Sequence, residues 1–460
     1  MITLYQLASG NNSLRYIDDA TEQAYALKDL PGLSLVGERS LVFAYLDNTL
    51  PSIAVFWTLM RSKHCVALLA PELNLHFKDE LEALYKPQFI VDRKRAEVAG
   101  YGPEQENGLG YFKSDEVTPV VIHPEVKLLI STSGTTGSPK FVKLSEQNLV
   151  ANALSICDYL PIQREDVTPL NLPIYYSYGL SVLTSNSIKG GKIICSNDDL
   201  LKKDFWEKFA RYGYTSFAGV PFVYEMLERI GFTKKEYPSL RYFTQAGGKL
   251  QDPLVRKYAE YAIGRSVRFY VMYGQTEATA RMSYLPPERT LERIGSIGKP
   301  IKDGRFIIDE ETSELCYKGP NVFGGYVTGP TELASYERTG LLRTGDLARE
   351  EDGFYYITGR LKRMAKIFGN RVNLDEVESL LAKELHVQGR CVGYEDKQLL
   401  IFVTDDQLDL RKLAQDISGA LTLHITAIKP VKVEEIPLTV NGKVNYTALI
   451  DQYATVGSAG

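Results

Sequence analysis

Up to about residue 290, short apolar runs alternate with helical patterns, and this alternation restricts the chain to an α/β architecture with mostly parallel sheets. The runs SLVFAYL (40–46), VKLLIST (126–132), GKIICS (191–196), TSFAGVP (215–221), LRYFTQA (240–246) and VRFYVMYG (267–274) read as buried strands. A strand covered on both faces has no solvent side, so it is apolar throughout rather than alternating. Between these runs, 146–159 and 252–263 carry the spacing of helices that flank a sheet.

Beyond residue 290 the pattern shortens. RFIIDEETSELCYKG and GFYYITGR look like antiparallel strands turned by Gly and Asp, which predicts a small β-barrel-like subdomain. A helix (374–385), a strand (398–404) and a second helix (408–421) then form a compact α+β unit. The expected organisation is a large N-terminal domain over 1–358 and a small C-terminal domain over 359–460.

Composition narrows the function classes. A chain of 460 residues, 44% apolar and 24% charged, has enough core for more than one domain and enough charge for a soluble surface. Its 53 basic and 57 acidic residues leave a net charge of −4, without the basic footprint of a nucleic-acid binder. The longest apolar stretch, LPSIAVFWTLM (50–60), is too short to span a bilayer, so no membrane insertion is expected. The opening MITLYQLASGNNS lacks a charged n-region ahead of an apolar segment; no signal peptide and a cytoplasmic location are expected. Cys65, Cys157, Cys195, Cys316 and Cys391 form no CxxC pair and no Cys–His cluster, which argues against a disulfide framework or a zinc site.

The chemistry begins at STSGTTGSPK (131–140), where a buried strand runs into a Gly- and hydroxyl-rich loop ahead of a helix near Ser145. Glycines let the backbone approach a phosphate, hydroxyls and N–H groups donate to it, and Lys140 adds a point charge. The spacing is not that of a Walker loop, GxxxxGK[ST], which disfavours a P-loop NTPase. By itself the loop identifies only a phosphate binder.

STSGTTGSPK resembles the signature loop of the adenylate-forming superfamily: acyl-CoA synthetases, peptide-synthetase adenylation domains and firefly-type luciferases. The family's other motifs follow in order: AGGKL (246–250), YGQTE (273–277), GSIGKP (295–300), GPNVFGGY (319–326), LRTGDL (342–347), GRLKRMAKIFG (359–369) and IPLTVNGKVNYTAL (436–449). The resemblance implies an N-terminal AMP-binding domain, a mobile C-terminal lid domain, and ATP with Mg²⁺ as the nucleotide and its metal. Ser131, Thr132, Ser133, Gly134, Thr135, Thr136, Gly137 and Lys140 would hold the phosphates. Gly247, Gly248, Tyr273 and Gly274 would lie against adenine, Thr276 would touch the α-phosphate and Glu277 would hold the metal. Asp346 would bind the ribose hydroxyls, Arg360 ribose or phosphate, and Lys443 would stabilise the adenylation transition state. Lys362 would be the hinge residue and Gly369 would flank the thiol tunnel.

The reaction so implied is attack of a small carboxylic acid on ATP to give acyl-AMP and pyrophosphate, then transfer of the acyl group to a thiol, CoA first. The NRVNLDEVE segment is close to the peptide-synthetase version, which keeps a phosphopantetheinyl carrier protein open as the acceptor. A nucleotide-binding module that has lost catalysis is the reading from another class. In PIYYSYG (173–179), Tyr176 stands where acyl-CoA synthetases carry a gating histidine and amino-acid-activating members an Asp. An ammonium buried without a carboxylate is costly, so Tyr176 argues against a free α-amino acid. Other departures are Phe141 after the loop lysine, Glu146 for a common histidine, Lys249 after Gly-Gly and Asn445 after GK. Tyr175, Tyr176, Tyr178, Phe217, Gly219, Val220 and Met272 are the expected acid pocket, its phenols arguing against a long fatty chain.

Overall fold

The computed structural model describes residues 2–116, 120–131, 140–368, 370–421, 423–438 and 444–457. The chain divides into two compact units, Met1–Phe306 with Tyr317–Leu342 and Ile307–Cys316 with Arg343–Gly460. It is an α/β fold with a large domain and a smaller C-terminal one.

Every apolar run identified in the sequence holds a strand of the first unit. Leu41–Tyr45 pairs parallel with Cys65–Leu69 and with Phe89–Asp92, and Cys65–Leu69 pairs parallel with Leu128–Ser131, at the centre of an eight-stranded sheet. All residues of Leu41–Tyr45 and Cys65–Leu69 are buried, as sheets covered on both faces require. A five-stranded sheet runs parallel through Ser216–Gly219, Tyr242–Gln245 and Arg268–Tyr273, then antiparallel to Ser283–Leu285. Lys192–Cys195 sits between Val167–Pro169 and Arg15–Asp18 in a third sheet.

The longest apolar stretch is the helix Leu50–Arg61, buried from Ser52 to Met60 on all sides. Such a length suits a core helix rather than a span, and no helix among the described residues is long and apolar enough to cross a membrane. Pro51 lies in its first turn, where a missing N–H leaves no intrahelical bond unmade. The helix Glu146–Tyr159 starts at Ser145, whose hydroxyl accepts from Asn148 N–H while the Asn148 side chain returns the bond.

In the second unit the Asp346–Glu351 part of the strand Leu342–Glu351 pairs antiparallel with Phe354–Arg360, placing Asp346 opposite Arg360. Gln398–Val403 pairs antiparallel with Gly389–Tyr394 and parallel with Ile428–Lys432, the parallel return being made through the helix Leu410–Leu421. Val377, Leu381, Leu399, Ile401 and Ile417 are buried between these elements. Arg363 ties the unit together: it ion-pairs with Asp375 and Glu378, donates to Cys391 O at 2.7 Å and lies over the Tyr446 ring.

Candidate active site

The YGQTE segment leaves the strand Arg268–Tyr273 and folds straight back, with Met282 N–H donating to Tyr273 O at 2.9 Å. Gly274 permits this fold: a Cβ there would stand 1.9 Å from Ala280 O and 2.9 Å from Arg281 Cα. Thr276–Ala278 form one 3₁₀ turn, and Thr279 follows at φ +65°, ψ −58°. That is an unfavourable backbone region for a β-branched residue, and it persists only where surrounding bonds over-determine it.

The over-determination comes from GPNVFGGY. Asn321 donates to Ala278 O and Arg281 O at 2.9 and 2.8 Å, and accepts from Tyr317 Oη. Thr279 Oγ1 donates to Asn321 O, and Phe323 N–H donates to Glu277 O. Asn148 donates to Pro320 O and Val322 O, joining the helix cap to the same clamp. Asn321→Ala is therefore expected to cost about 2–3 kcal/mol, since it removes three buried side-chain hydrogen bonds and leaves the buried Tyr317 hydroxyl without its acceptor. Urea unfolding measures this loss, and loosening of the Thr276–Glu277 turn would be read as slower nucleotide-dependent turnover in the same variant.

Glu277 and Lys140 meet at a residue the sequence reading did not single out. Tyr326 Oη donates to Glu277 Oε1 at 2.9 Å, and Lys140 Nζ stands 3.2 Å from the centroid of the same ring. Burial raises the Tyr326 phenol well above its ordinary range, and the Glu277 carboxylate adds to the shift, so it stays a protonated donor. Strand pairing brings the ring there, because Tyr326–Val327 lies antiparallel to Phe141–Leu144, with Tyr326 opposite Val142. Ser131 ends the partner strand across the hairpin. Thr132, Ser133, Gly134, Thr135, Thr136 and Gly137 lie outside the described residues, as do Gly369 and Lys443.

On the other side of the turn, Ser177 Oγ lies 3.4 Å from Thr276 Oγ1, at the start of the helix Ser177–Lys189. Gly179 lets that helix press onto the preceding loop, since a Cβ would stand 2.1 Å from Pro173 O. Gly247 adopts φ +86°, and a Cβ on it would meet Tyr176 Oη at 2.7 Å. Gly248 accepts from Gln245 Nε2 and packs beside Pro221, while Lys249 is exposed.

Tyr176, Tyr178, Val220 and Met272 share one cluster with Tyr159 and Tyr242. Burial pushes Tyr178 up to about 12, and Tyr176 is also raised by burial. Gly219 closes the strand against Tyr224. Two residues of the expected pocket point elsewhere. The Phe217 ring stacks on Phe243 at 5.3 Å in the aromatic core on the opposite sheet face, because neighbours on a strand alternate sides. Tyr175 sits near Asp47 and Glu72, its phenol raised to about 12 by burial and then by those carboxylates.

In the second unit Arg360 Nε donates to Asp346 Oδ1 at 3.0 Å, and Asp346 N–H donates to Thr344 Oγ1. Asp346 is buried and Arg360 largely exposed. Lys362 lies in the 3₁₀ turn Leu361–Arg363, which follows Arg360; before it, the missing Cβ of Gly359 makes room for the Asn373 amide.

The AMP-binding enzyme family model matches residues 40–327. The chain is 27% identical over 353 residues to the oxalate–CoA ligase of Arabidopsis thaliana, covering 72% of this chain and 68% of that protein. It is 31% identical over 289 residues to the 2-succinylbenzoate–CoA ligase of Bacillus mycoides, covering 59% and 58%. Its fold matches the o-succinylbenzoate CoA synthetase of Bacillus subtilis in complex with an acyl-adenylate intermediate, with a TM-score of 0.76, 21% identity and 98% of each chain covered. The chain belongs to the AMP-binding enzymes of the adenylate-forming superfamily. Within that superfamily its class is the AMP-forming acid–thiol ligases.

Proposed function

We propose that this protein converts a small carboxylic acid to its acyl-adenylate with MgATP and passes the acyl group to the thiol of CoA. The observation that carries the reading is the Tyr273–Met282 turn. Braced by Asn321, it offers Thr276 and Glu277 on one side and backs onto the tyrosine cluster on the other.

In the first step a carboxylate oxygen bonds to the α-phosphorus, the bridge to the β-phosphate breaks and pyrophosphate leaves. Thr276, the 131–140 loop and Lys443 are the proposed donors to the phosphoryl oxygens, where charge builds. In the second, thiolate sulfur bonds to the acyl carbon and AMP leaves. Asp346 and Arg360 are the proposed ribose and phosphate contacts, Lys362 the proposed hinge, and Gly369 the proposed tunnel wall.

Glu277 suits Mg²⁺ held mainly by nucleotide phosphates, which needs only one or two protein carboxylates. Its carboxylate is aimed by Tyr326, and no group of three or more metal-ligating side chains exists among the described residues. When bound, Mg²⁺ would neutralise phosphate charge; the protein's part is to hold Glu277 in place.

The CoA acceptor is supported by the relatives' names, both CoA ligases. Against an amino acid stands Arg281, a cation beside Tyr176 and over the Tyr178 ring, where an ammonium would be repelled. The test is ATP–pyrophosphate exchange with D- and L-amino acids as one panel and aryl, hydroxy and short acyl acids as the other. CoA and a phosphopantetheinyl carrier protein are then offered as acceptors. Exchange with the second panel alone, and thioester formation on CoA, are expected. Exchange with amino acids, or acyl transfer to the carrier alone, would overturn the assignment, and silence with every acid would leave an inactive nucleotide-binding module.

A further inference from the structure

Arg281 carries a buried charge that the protein leaves without an acidic partner. The residue is 4% exposed, and no carboxylate pairs with its guanidinium among the described residues. Its Nε has no hydrogen-bond partner. The guanidinium lies 3.9 Å from the centroid of the Tyr178 ring and beside the Tyr159 hydroxyl, which itself donates to Met272 Sδ.

Other cations buried to the same degree are provided for. Lys78 pairs with Asp92 at 2.6 Å. Lys127 donates to the carbonyls of Leu59, Ser62 and His64, and Lys143 to those of Glu332 and Ser335. A guanidinium does not shed its proton in a protein, so burying one unpaired destabilises the fold unless something else supplies the anion.

The surroundings indicate what that is. Arg281 lines a small cavity in which Ser181, Ser185 and Thr244 stand beside the apolar Ile156, Leu160 and Val182. Tyr176 and Tyr178, beside Arg281, belong to the proposed acid pocket. The same turn that carries Thr276 and Glu277 ends at Arg281, so the reacting end and the buried cation are held by one element.

We propose that Arg281 is a specificity-determining residue that receives a second acidic group of the substrate, making the preferred acid a small dianion such as a dicarboxylate. This rests on the acyl-adenylate reading above. One carboxylate is adenylated, and the other takes the planar donors of Arg281 in a forked pair. A monoacid of the same length would leave the cation unpaired and bind poorly.

The experiment compares matched pairs in ATP–pyrophosphate exchange: malonate with propionate, succinate with butyrate, and 2-succinylbenzoate with 4-oxo-4-phenylbutyrate. The wild type is set against Arg281→Met, Arg281→Gln and Arg281→Lys. The wild type should prefer at least one diacid over its partner by a hundredfold or more in kcat/KM. Arg281→Met should erase that preference, mostly through KM for the acid, with KM for ATP unchanged and part of it restored in Arg281→Lys. Thermal unfolding without substrate supplies the second readout: a cation kept for a ligand should give Arg281→Met and Arg281→Gln melting temperatures at or above wild type. Added diacid should raise the melting temperature of the wild type alone.

A wild type that exchanges only with monoacids overturns the inference and leaves acid activation standing. Exchange with no acid at all overturns both. Lower melting temperatures in both neutral variants, with diacid and monoacid activities falling together, would show a structural arginine and sink the proposal.

Discussion

Lys443→Ala is expected to lower acyl-adenylate formation by about a thousandfold, while thiolation of a preformed acyl-adenylate continues near the wild-type rate. The separation follows from where charge develops. In the first half-reaction it grows on the α-phosphoryl oxygens, where one preorganised cation or donor is worth about a hundred- to a thousandfold. In the second it moves to the acyl carbonyl, away from the group that Lys443 would contact. Pyrophosphate exchange measures the first step, and CoA thioester formation from synthetic acyl-AMP measures the second. Equal loss in both assays would end the assignment of Lys443 to adenylation.

Gly274→Ala is expected to be the most damaging single-methyl change near the site, destabilising the fold by about 3 kcal/mol or more and bringing exchange below detection. The added Cβ would lie 1.9 Å from Ala280 O, and its next neighbours are also backbone atoms, so no rotamer change relieves the overlap. Opening the turn would displace Thr276, Glu277 and Arg281 together. Gly264→Ala is the control, because nothing lies within 4 Å of its added Cβ. That variant should be neutral or slightly more stable, since alanine restricts the unfolded chain. Denaturant titration of the two variants decides the matter: similar midpoints would mean that the turn can open without penalty.

Much of the fold was legible because local rules govern it. Leu41–Tyr45 and Cys65–Leu69 are apolar at every position, and a strand buried on both faces leaves no other pattern. The helix Glu146–Tyr159 appears with the bounds its periodicity predicts. Leu50–Arg61 could be excluded as a membrane span by length, yet its placement inside the fold required the sheets around it. Phe217 and Tyr175 are among the expected pocket residues; Phe217 instead follows strand alternation onto the other face. That signal was present, since Ser216 and Ala218 mark the polar and small side of the same strand.

The meeting of Lys140, Tyr326 and Glu277 was not legible, because the phenol lies 49 residues from the carboxylate it bonds and reaches the lysine through a strand pairing. Arg281 was still less so. In the string ATAR a lone arginine reads as a solvated surface charge, and no local pattern records that it lies under Tyr178 without an acidic partner.

Contiguous motifs therefore determined the family, because each motif is a run of neighbouring residues that is legible before the chain is folded. Tertiary structure alone decided how the YGQTE turn is braced and which buried charge is left unpaired. Burial and pairing belong to the whole assembly of elements, and a charge has no fixed energetic value until the fold determines what surrounds it.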